Sequence, residues 1–297
     1  MTIQEINKKN IWEIIRPITE LQKNTQELYS QCKEDLDTLR KTILNASSQI
    51  KFNEEEHRYF YKGEECMPVS NVVDLFVPET DFDLVAQNYV KKNNILEPWQ
   101  RVRQKWLLKG TYSTTNGTFV HQYGEDLNWI CNQTDRTIWT KEIGPKLAEW
   151  CYIDGYYIPV HPKSIAIYKY FEYCLANKEI PFLAEIKLVL DEHKISGTFD
   201  QLVYSLKDKG LVMRDYKTNS ELQKAFKKPM KIPFIMYNDE PLTHYIIQQN
   251  LYSLMLRELG IKVKKKELVW LKENEQFELI QLPDIEDQVL KAVEGLY

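Results

Sequence analysis

Three short apolar segments near the middle of the chain show the clearest pattern of hydrophobic and polar positions. They lie between Leu183 and Thr218, are rich in Val, Ile, Leu and aromatic residues, and are separated by the turn-like segments DEHKISG and SLKDKG. Apolar runs of this length between such turn segments are typical of β-strands joined by tight connections. The pattern therefore predicts three consecutive strands.

Charged residues interrupt each of the three predicted strands. Because side chains alternate between the two faces of a strand, Asp215 and Lys217 share one face of the third strand and Tyr216 lies on the other. The second strand contributes Asp200 and the first contributes Glu185. Three neighbouring strands are thus each expected to present a carboxylate, and the third adds a lysine.

Carboxylates inside a sheet are costly unless a partner compensates their charge. A hard divalent cation is one such partner, since Mg²⁺ binds one or two carboxylates together with phosphate oxygens. A lysine beside the metal can hold or activate a water molecule. Any one of these charges alone is typical of the solvated face of an antiparallel sheet, but the set of Glu185, Asp200, Asp215 and Lys217 favours a metal site.

Helical spacing of apolar residues dominates the N-terminal part of the chain. Residues 1–47 predict helix, which Pro17 interrupts or kinks. Two arrangements fit this segment, a helical hairpin packed on the main domain or an arm for self-association. We expect residues 1–50 to form a helical N-terminal extension and residues 51–297 to form the main domain.

Turn and capping signals divide the chain between this extension and the three strands. A hairpin that turns at Lys62-Gly63 is predicted first, followed by a helix capped at Ser70. A later helix is predicted to begin with Thr118 as its N-cap, which puts His121 in the first turn. Further helical segments are predicted over residues 82–109, 145–151 and 164–177.

A strong helix is predicted after the three strands, from Thr243 to Leu259, and it ends before Gly260. Gln248 and Tyr252 lie four residues apart and therefore share one face of this helix. Two further strands and a final helix from residue 284 onward complete the pattern.

Two basic segments offer contacts for a polyanion, although the net charge of −4 argues against a general affinity for one. One is the loop after the third strand, and the other surrounds Trp106. Contacts between basic side chains and phosphates release counterions, which favours DNA binding, whereas a solvated helix face or a disordered linker is the alternative. The candidate DNA-binding residues are Lys224, Lys227, Lys228, Lys231, Arg101, Arg103 and Lys105.

The composition indicates the redox compartment and argues against a nucleotide-binding loop and a membrane span. The 297 residues include five dispersed cysteines and no CxxC pair, which favours a reducing compartment over a disulfide framework. None of them lies after Cys174. The sequence lacks the GxxxxGKS or GxxxxGKT segment of a nucleotide-binding loop. We expect no membrane association, because no apolar run is long enough to cross a bilayer.

The order of these segments resembles a known family. Glu185, the GTFD segment ending at Asp200 and the DYK segment ending at Lys217 resemble the PD-(D/E)xK nucleases, in their RecB-like branch that includes phage-type exonucleases. The G-T-x-x-H segment ending at His121 and the Q-x-x-x-Y segment ending at Tyr252 follow the same order as in that branch.

This resemblance covers residues 51–280 and implies an α/β fold. Its core is a mixed central sheet flanked by helices, in the order helix, three strands, helix, strand, with the N-terminal helical extension outside it. The matching region begins at an H-x-Y segment that contains His57. We expect His57 to be structural rather than catalytic, because no partner pattern accompanies it.

The resemblance also implies a set of metal ligands. Asp200 and Asp215 would bind Mg²⁺ or Mn²⁺ together with the backbone carbonyl of Tyr216, and His121 would be an additional ligand. Glu185 would hold a metal-bound water or a second ion. No nucleotide cofactor is implied. Some members of the family hold an iron–sulfur cluster with cysteines near the C-terminus, and since no cysteine follows Cys174 we expect no iron–sulfur cluster here.

The implied reaction is hydrolysis of phosphodiester bonds in linear DNA by an exonuclease of phage or bacterial recombination or DNA processing. Lys217 would orient and help deprotonate the attacking water, and Gln248 and Tyr252 would position the strand or support Lys217. A phage-encoded enzyme in the bacterial cytoplasm is implied, with DNA as its partner. A recombination or single-strand-annealing protein, or a second copy of the chain, is a further candidate partner.

Two alternatives remain at this point. One is a structure-specific, flap-type endonuclease with the same chemistry. The other is a DNA-binding or assembly module that kept the fold and lost the activity, and the intact set of Asp200, Asp215 and Lys217 argues against it.

Overall fold

The computed structural model describes residues 8–133, 152–153, 156–157, 161–224 and 227–296. The helix predicted over residues 145–151 lies outside these ranges. The strands are β1 (Ile50–Asn53), β2 (Arg58–Tyr61), β3 (Glu64–Pro68), β4 (Tyr152–Ile153), β5 (Tyr156–Tyr157), β6 (Glu179–Leu190), β7 (Ile195–Ser205), β8 (Gly210–Lys217), β9 (Val263–Leu271) and β10 (Phe277–Gln281). The helices are α1 (Lys8–Tyr29), α2 (Lys33–Ser48), α3 (Val69–Leu75), α4 (Phe82–Lys92), α5 (Trp99–Asn132), α6 (Pro162–Ala176), α7 (Pro241–Glu258) and α8 (Glu286–Glu294).

Eight of these strands form one mixed sheet. The hydrogen-bonded order is β1-β2-β3-β7-β8-β9-β10, and β6 pairs with β7. The ladders β3–β7 and β8–β9 are parallel, and the others are antiparallel. The three strands predicted between residues 183 and 218 are confirmed as β6, β7 and β8, with β6 beginning a few residues earlier.

Helices cover both faces of the sheet, which makes the fold α/β. Apolar side chains of α2, α3, α7 and α8 pack with those of β6, β7 and β8 in one cluster. The second cluster joins α1, α5 and α6 to the opposite face of β8 and to β9. The N-terminal helices therefore pack on the sheet, through Ile18 and Leu21 of α1 and Leu36 and Ile43 of α2. In the part of the chain that the structure describes, no helix is long and apolar enough to cross a bilayer.

Pro17 does not interrupt the first helix, because α1 continues through it to Tyr29 and the break comes at Ser30–Cys32. The hairpin turn at Lys62-Gly63 is confirmed, and both residues have positive φ, 52° and 85°. The predicted cap at Ser70 is wrong. Helix α3 begins at Val69, and its N-cap residue is Pro68, two residues before Ser70.

The predicted helix start at Thr118 is also wrong. Helix α5 is continuous from Trp99 to Asn132, and the Thr118 hydroxyl donates to the Thr114 carbonyl one turn back, 3.1 Å away, rather than capping a terminus. The predicted helix over residues 82–109 instead divides into α4 and the first part of α5, with Pro98 as the N-cap residue of α5.

Candidate active site

The predicted site lies where β8 separates from β7. Strand β7 pairs with β3 at Ile195 and Ser196 and with β8 from Gln201 to Ser205, so residues 197–200 lie in the gap between these two ladders. Oδ2 of Asp200 accepts a hydrogen bond from the backbone N–H of Tyr216, at 2.7 Å. A side-chain carboxylate thus takes the place of the next backbone acceptor, and it fixes the end of β8 beside β7.

Helix α5 brings His121 to the same carboxylate. Its Nδ1 lies 3.3 Å from Oδ2 of Asp200. Two glycines of α5 make this approach possible, because a Cβ on Gly117 would lie 3.2 Å from Oγ1 of Thr218 and one on Gly124 would lie 2.9 Å from the Tyr216 ring. These glycines are seven residues apart and share one helix face. The glycine that suggested a helix start in the sequence therefore serves close packing instead.

Asp215 and Lys217 form a buried ion pair on one face of β8, as the alternation predicted. The Lys217 ammonium contacts Oδ2 of Asp215 and also lies 4.3 Å from the centroid of the Tyr245 ring. The Asp215 side chain is 3% exposed and that of Lys217 13%. Among the described residues, the Lys217 ammonium is the charged partner of Oδ2, and no other donor completes a hydrogen bond to that oxygen.

Glu185 has a strained backbone. Its φ is 51°, and it is the one non-glycine residue with positive φ inside a strand of the described chain. The register places it opposite Asp200, since Ala184 pairs with Gln201 and Ile186 with Phe199. A left-handed non-glycine residue costs about 1–3 kcal/mol, and such residues cluster at functional sites.

The alternation of β7 shifts at this point. Its side chains in the first core cluster change from Ile195 and Phe199 to Leu202 and Tyr204, so the inward positions shift by one residue between Phe199 and Leu202. Asp200 lies at this shift. On β6 the ladder is irregular between Pro181 and Leu183, two residues before Glu185.

The three carboxylates perturb one another. Burial, and then the charge of Asp200, raise the pKa of Glu185. Burial and Asp200 also raise the pKa of Asp215, although Lys217 opposes them. Burial alone would raise the pKa of Asp200 as well, but His121 and Lys217 outweigh it and the pKa is lowered. Ionisation of all three carboxyl groups at once is therefore unfavourable without a further cation.

This arrangement fits a divalent cation. Hard cations select carboxylate oxygens, and three carboxyl groups meet here beside one lysine. Among the described residues, no three His, Cys, Asp or Glu side chains form a ready ligand cage. An ion at this site would therefore take part of its coordination from water or a phosphate group, as Mg²⁺ commonly does. The ligand role of the Tyr216 carbonyl stays a prediction, and its ring packs in the second core cluster.

Gln248 and Tyr252 lie beneath the site on α7. The Gln248 amide donates to the Tyr252 hydroxyl, 3.3 Å away, and Tyr252 is buried. A Cβ on Gly197 would lie 2.9 Å from the Tyr252 hydroxyl oxygen, so α7 packs directly against the gap in β7. This placement supports the strands that carry the carboxylates.

A cavity of about 950 Å³ opens above the cluster. Glu185, Asp200 and Lys217 line it together with His121 and His57. The position of His57 at the cavity was not apparent from the sequence, since the hairpin that carries it reaches this region through long-range contacts, which include the pairing of β3 with β7 and the hydrogen bond between the hydroxyls of Tyr59 and Thr198.

Glu125 and Lys163 also line the cavity, and neither was assigned a role from the sequence. Glu125 lies one helical turn beyond His121, and its charge contributes to the raised pKa of Glu185. Lys163, which lies at the start of α6, donates to the Thr218 carbonyl at 2.9 Å. The close spacing of His121 and Glu125 was the signal available for Glu125, whereas no local signal pointed to Lys163.

The loop lysines each have an acceptor within the chain. The ammonium groups of Lys224 and Lys227 lie 3.3 Å from carboxylate oxygens of Asp239 and Glu240, respectively. The other two reach backbone carbonyls near the end of α3, with Lys228 donating to Glu79 at 2.6 Å and Lys231 to Leu75 at 3.3 Å. Their role in binding DNA stays a prediction.

The second basic segment is partly paired as well. Arg103 lies 3.5 Å from Asp83 and Lys105 lies 2.8 Å from Glu97, whereas Arg101 is exposed. These residues lie on the first turns of α5, away from the cavity lining. No known family model matches this chain, and no curated protein matches it.

Proposed function

We propose that this protein is a metal-dependent deoxyribonuclease of the PD-(D/E)xK type that hydrolyses phosphodiester bonds of linear DNA. The observation that carries the proposal is the convergence of Glu185 of β6, Asp200 of β7, and Asp215 and Lys217 of β8 at the gap between the β3–β7 and β7–β8 ladders. A fold that needed only stability would gain little from a strained glutamate facing a second buried carboxylate.

Asp200 and Asp215 are the carboxylates suited to hold Mg²⁺ or Mn²⁺, with His121 beside Asp200. When bound, the ion would lower the pKa of a water molecule and offset charge on the phosphate. A buried anionic cluster without it repels a phosphodiester, so the proposal requires the metal for substrate approach as well as for chemistry.

Lys217 acts as a donor in this arrangement. Burial lowers its pKa, but Asp215 and Asp200 outweigh burial and the pKa is raised, so the side chain stays charged. An ammonium at this place orients the attacking water or a phosphate oxygen. Glu185 faces the same gap, and in its ionised form it is the carboxylate suited to accept the proton of the water.

The experiment that tests the proposal uses linear DNA labelled at the 5′ or the 3′ end beside a closed circular duplex. Each is incubated with Mg²⁺, with Mn²⁺ and with EDTA, using the wild-type protein and the Asp215→Asn variant. We expect metal-dependent release of label from linear DNA by the wild type alone. A wild-type protein that cleaves none of these substrates in either metal would contradict the proposal and favour a DNA-binding module.

The two modes of cleavage give different products. Stepwise release of mononucleotides or short fragments from one end identifies an exonuclease. Nicking of the circle, or a single cut at a branch, identifies the structure-specific endonuclease. The resemblance of the GTFD and DYK segments to the exonuclease branch favours the first outcome.

A further inference from the structure

Tyr245 lies on the same face of α7 as Gln248 and Tyr252. The three positions are separated by three and four residues, which places their side chains on one side of a helix. Tyr252 packs at Gly197 beneath the site, whereas Tyr245 lines the cavity. Among the described contacts of this face, the one that reaches Lys217 comes from Tyr245, whose ring centroid lies 4.3 Å from the ammonium.

The ring of Tyr245 is held in place by a hydrogen bond and by packing. Its hydroxyl donates to Oδ1 of Asn219 at 2.8 Å, and the backbone carbonyl of Asn219 accepts a hydrogen bond from the indole N–H of Trp270 at 2.7 Å. The ring also packs against the apolar cluster that contains Leu222 and Leu268. Tyr245 therefore offers a fixed surface, whereas the four-carbon stem of a lysine is flexible.

The ammonium of Lys217 lies between Asp215 and this ring. Asp215 holds the ammonium through an ion pair, and the ring attracts it through the negative face of its π system. The two attractive groups belong to different elements, β8 and α7, and together they restrict the lysine head more than the ion pair alone. An ammonium has three N–H donors, so Lys217 can contact Asp215 and still donate into the cavity that it lines.

An aromatic ring suits this place better than another carboxylate would. Burial and the charge of Asp200 already raise the pKa of Glu185 and Asp215, so a further anion would add like-charge repulsion. It would also compete for the divalent cation. An aliphatic side chain would fill the space without attracting the ammonium. Burial raises the pKa of the Tyr245 phenol, so its ring attracts the cation without adding a charge.

We infer that Tyr245 is a positioning residue, which fixes the ammonium of Lys217 beside Asp215 so that it can orient the attacking water or a phosphate oxygen. This inference rests on the proposed function and gives a role to a residue that the sequence pattern did not indicate. The hydroxyl and Asn219 have a secondary part, because packing already holds the ring that they orient. The effect should therefore depend on the ring rather than on the hydroxyl.

The first test compares variants that keep the ring with variants that remove it. Cleavage of linear DNA in Mg²⁺ is measured for Tyr245→Phe, Tyr245→Leu and Tyr245→Met, after thermal unfolding has shown which of them are folded. Tyr245→Phe keeps the aromatic face, and its kcat should stay within about threefold of the wild type. The other two lose the cation–π contact, so kcat should fall on the order of tenfold while KM stays within about twofold.

The second test observes Lys217 directly and requires neither metal nor cleavage. Protons near the face of an aromatic ring are shifted upfield, so the ε-methylene signal of Lys217 in protein with ¹³C-labelled lysine should lie upfield of that of free lysine. The signal is assigned by its absence from Lys217→Arg, and the spectra are recorded in EDTA. We expect Tyr245→Phe to retain the upfield shift and Tyr245→Leu and Tyr245→Met to lose it.

Tyr61→Leu is the matched control. The ring of Tyr61 lies 4.7 Å from the ammonium of Lys62, so this variant loses the same kind of contact from a half-buried tyrosine outside the cavity lining. Its kcat should stay within about twofold of the wild type, and the Lys217 signal should not move. Equal losses of activity in Tyr61→Leu and Tyr245→Leu would assign the effect to packing and overturn the inference.

The two tests distinguish failure of this inference from failure of the proposed function. Wild-type cleavage by the variants without the ring, or equal impairment of Tyr245→Phe, would overturn the inference and leave the nuclease in place. A Lys217 signal that does not respond to loss of the ring would do the same. Absence of metal-dependent cleavage by the wild type would instead overturn the proposed function and, with it, the purpose assigned to the contact.

Discussion

Two charged clusters meet at adjacent residues of β8 and differ in almost every physical respect. Arg214 faces α6, and its guanidinium donates to Glu179 and Glu267 at 2.8 Å each and also contacts Cys174. Asp215, the next residue, faces the other way and belongs to the cluster with Asp200, Glu185 and Lys217.

The Arg214 cluster is closed. Its guanidinium is 2% exposed, and each of its two carboxylate partners is held by a hydrogen bond from it. The Asp215 cluster is open, because it contains a strained backbone residue and more carboxyl groups than lysines, and because it lies beside a cavity. Where each buried charge has a partner of opposite sign, as at Arg214, the cluster is structural. Where carboxyl groups outnumber the cations beside them, as at Asp215, the arrangement indicates a missing ligand.

The largest predicted effect is a loss of activity without a loss of stability, which distinguishes the open cluster from the closed one. Asp215→Asn should reduce metal-dependent cleavage on the order of 10³-fold. Because burial and Asp200 already disfavour its charge, the thermal midpoint in EDTA should stay the same or rise. Cleavage rates and thermal unfolding of the purified variant check both parts, and near-wild-type cleavage would end the assignment.

Arg214→Met is the matched change on the other face. It leaves the carboxylates of Glu179 and Glu267 buried without their cation, which should lower the free energy of unfolding by about 3–5 kcal/mol. Cleavage per folded molecule should remain near that of the wild type at a temperature where the variant is folded. Urea unfolding curves measure the loss, and a variant as stable as the wild type would show that the closed network contributes nothing net.

Glu185→Gln tests the open cluster through pH. Burial and Asp200 raise the pKa of Glu185 in the folded protein to about 9, whereas an unfolded glutamate has a pKa of about 4.3. Between these values the folded state binds more protons than the unfolded state, so stability in EDTA should fall as pH rises, by at most about 1.4 kcal/mol per pH unit.

The lowered pKa of Asp200 has the opposite effect on stability, because its contribution is lost as pH falls through the pKa that Asp200 has in the folded protein. This effect is confined to acid pH. Unfolding by urea at pH 5, 6, 7 and 8 should therefore show a decline for the wild type and a flatter profile for Glu185→Gln. Identical profiles would mean that Glu185 ionises as an exposed carboxylate does.

His121→Ala should have a smaller effect. Loss of the imidazole beside Asp200 is expected to weaken the apparent affinity for Mg²⁺ by about 10–100-fold, with partial recovery at high Mn²⁺, which tolerates nitrogen ligands better. His244→Ala, which removes a histidine paired with Asp239 at 2.9 Å outside the cavity lining, is the control. If the metal titrations of His121→Ala and the wild type coincide, His121 serves packing alone.

The smallest effect is expected from the loop lysines. The sequence alone predicts that each contributes a phosphate contact, but every one of the four ammonium groups has an intramolecular acceptor, as described above. Changing all four to alanine should therefore reduce the slope of log affinity against log salt by less than the value of about 0.7 for one contact on single strands. A reduction near four such contacts would show that the loop rearranges on DNA.

Some features of the open cluster could be predicted from the sequence and others could not. The alternation of side chains placed Asp215 and Lys217 on one face of a strand, and the three strands and their order followed from local patterns. The left-handed backbone at Glu185 could not be predicted, because it depends on how β6 and β7 pair. Likewise, Gly117 suggested a helix start when read locally, and its contact with Thr218 across 101 positions of sequence shows a different purpose.

The central claim is that the open cluster on β7 and β8 binds a divalent cation with its carboxylates, and calorimetric titration of Mn²⁺ into the metal-free protein tests it most directly. The account predicts saturable binding by the wild type, loss of that binding in the Asp200→Asn/Asp215→Asn double variant and retention of it in Arg214→Met under folding conditions. Binding of equal affinity in the double variant, or none in the wild type, would contradict it.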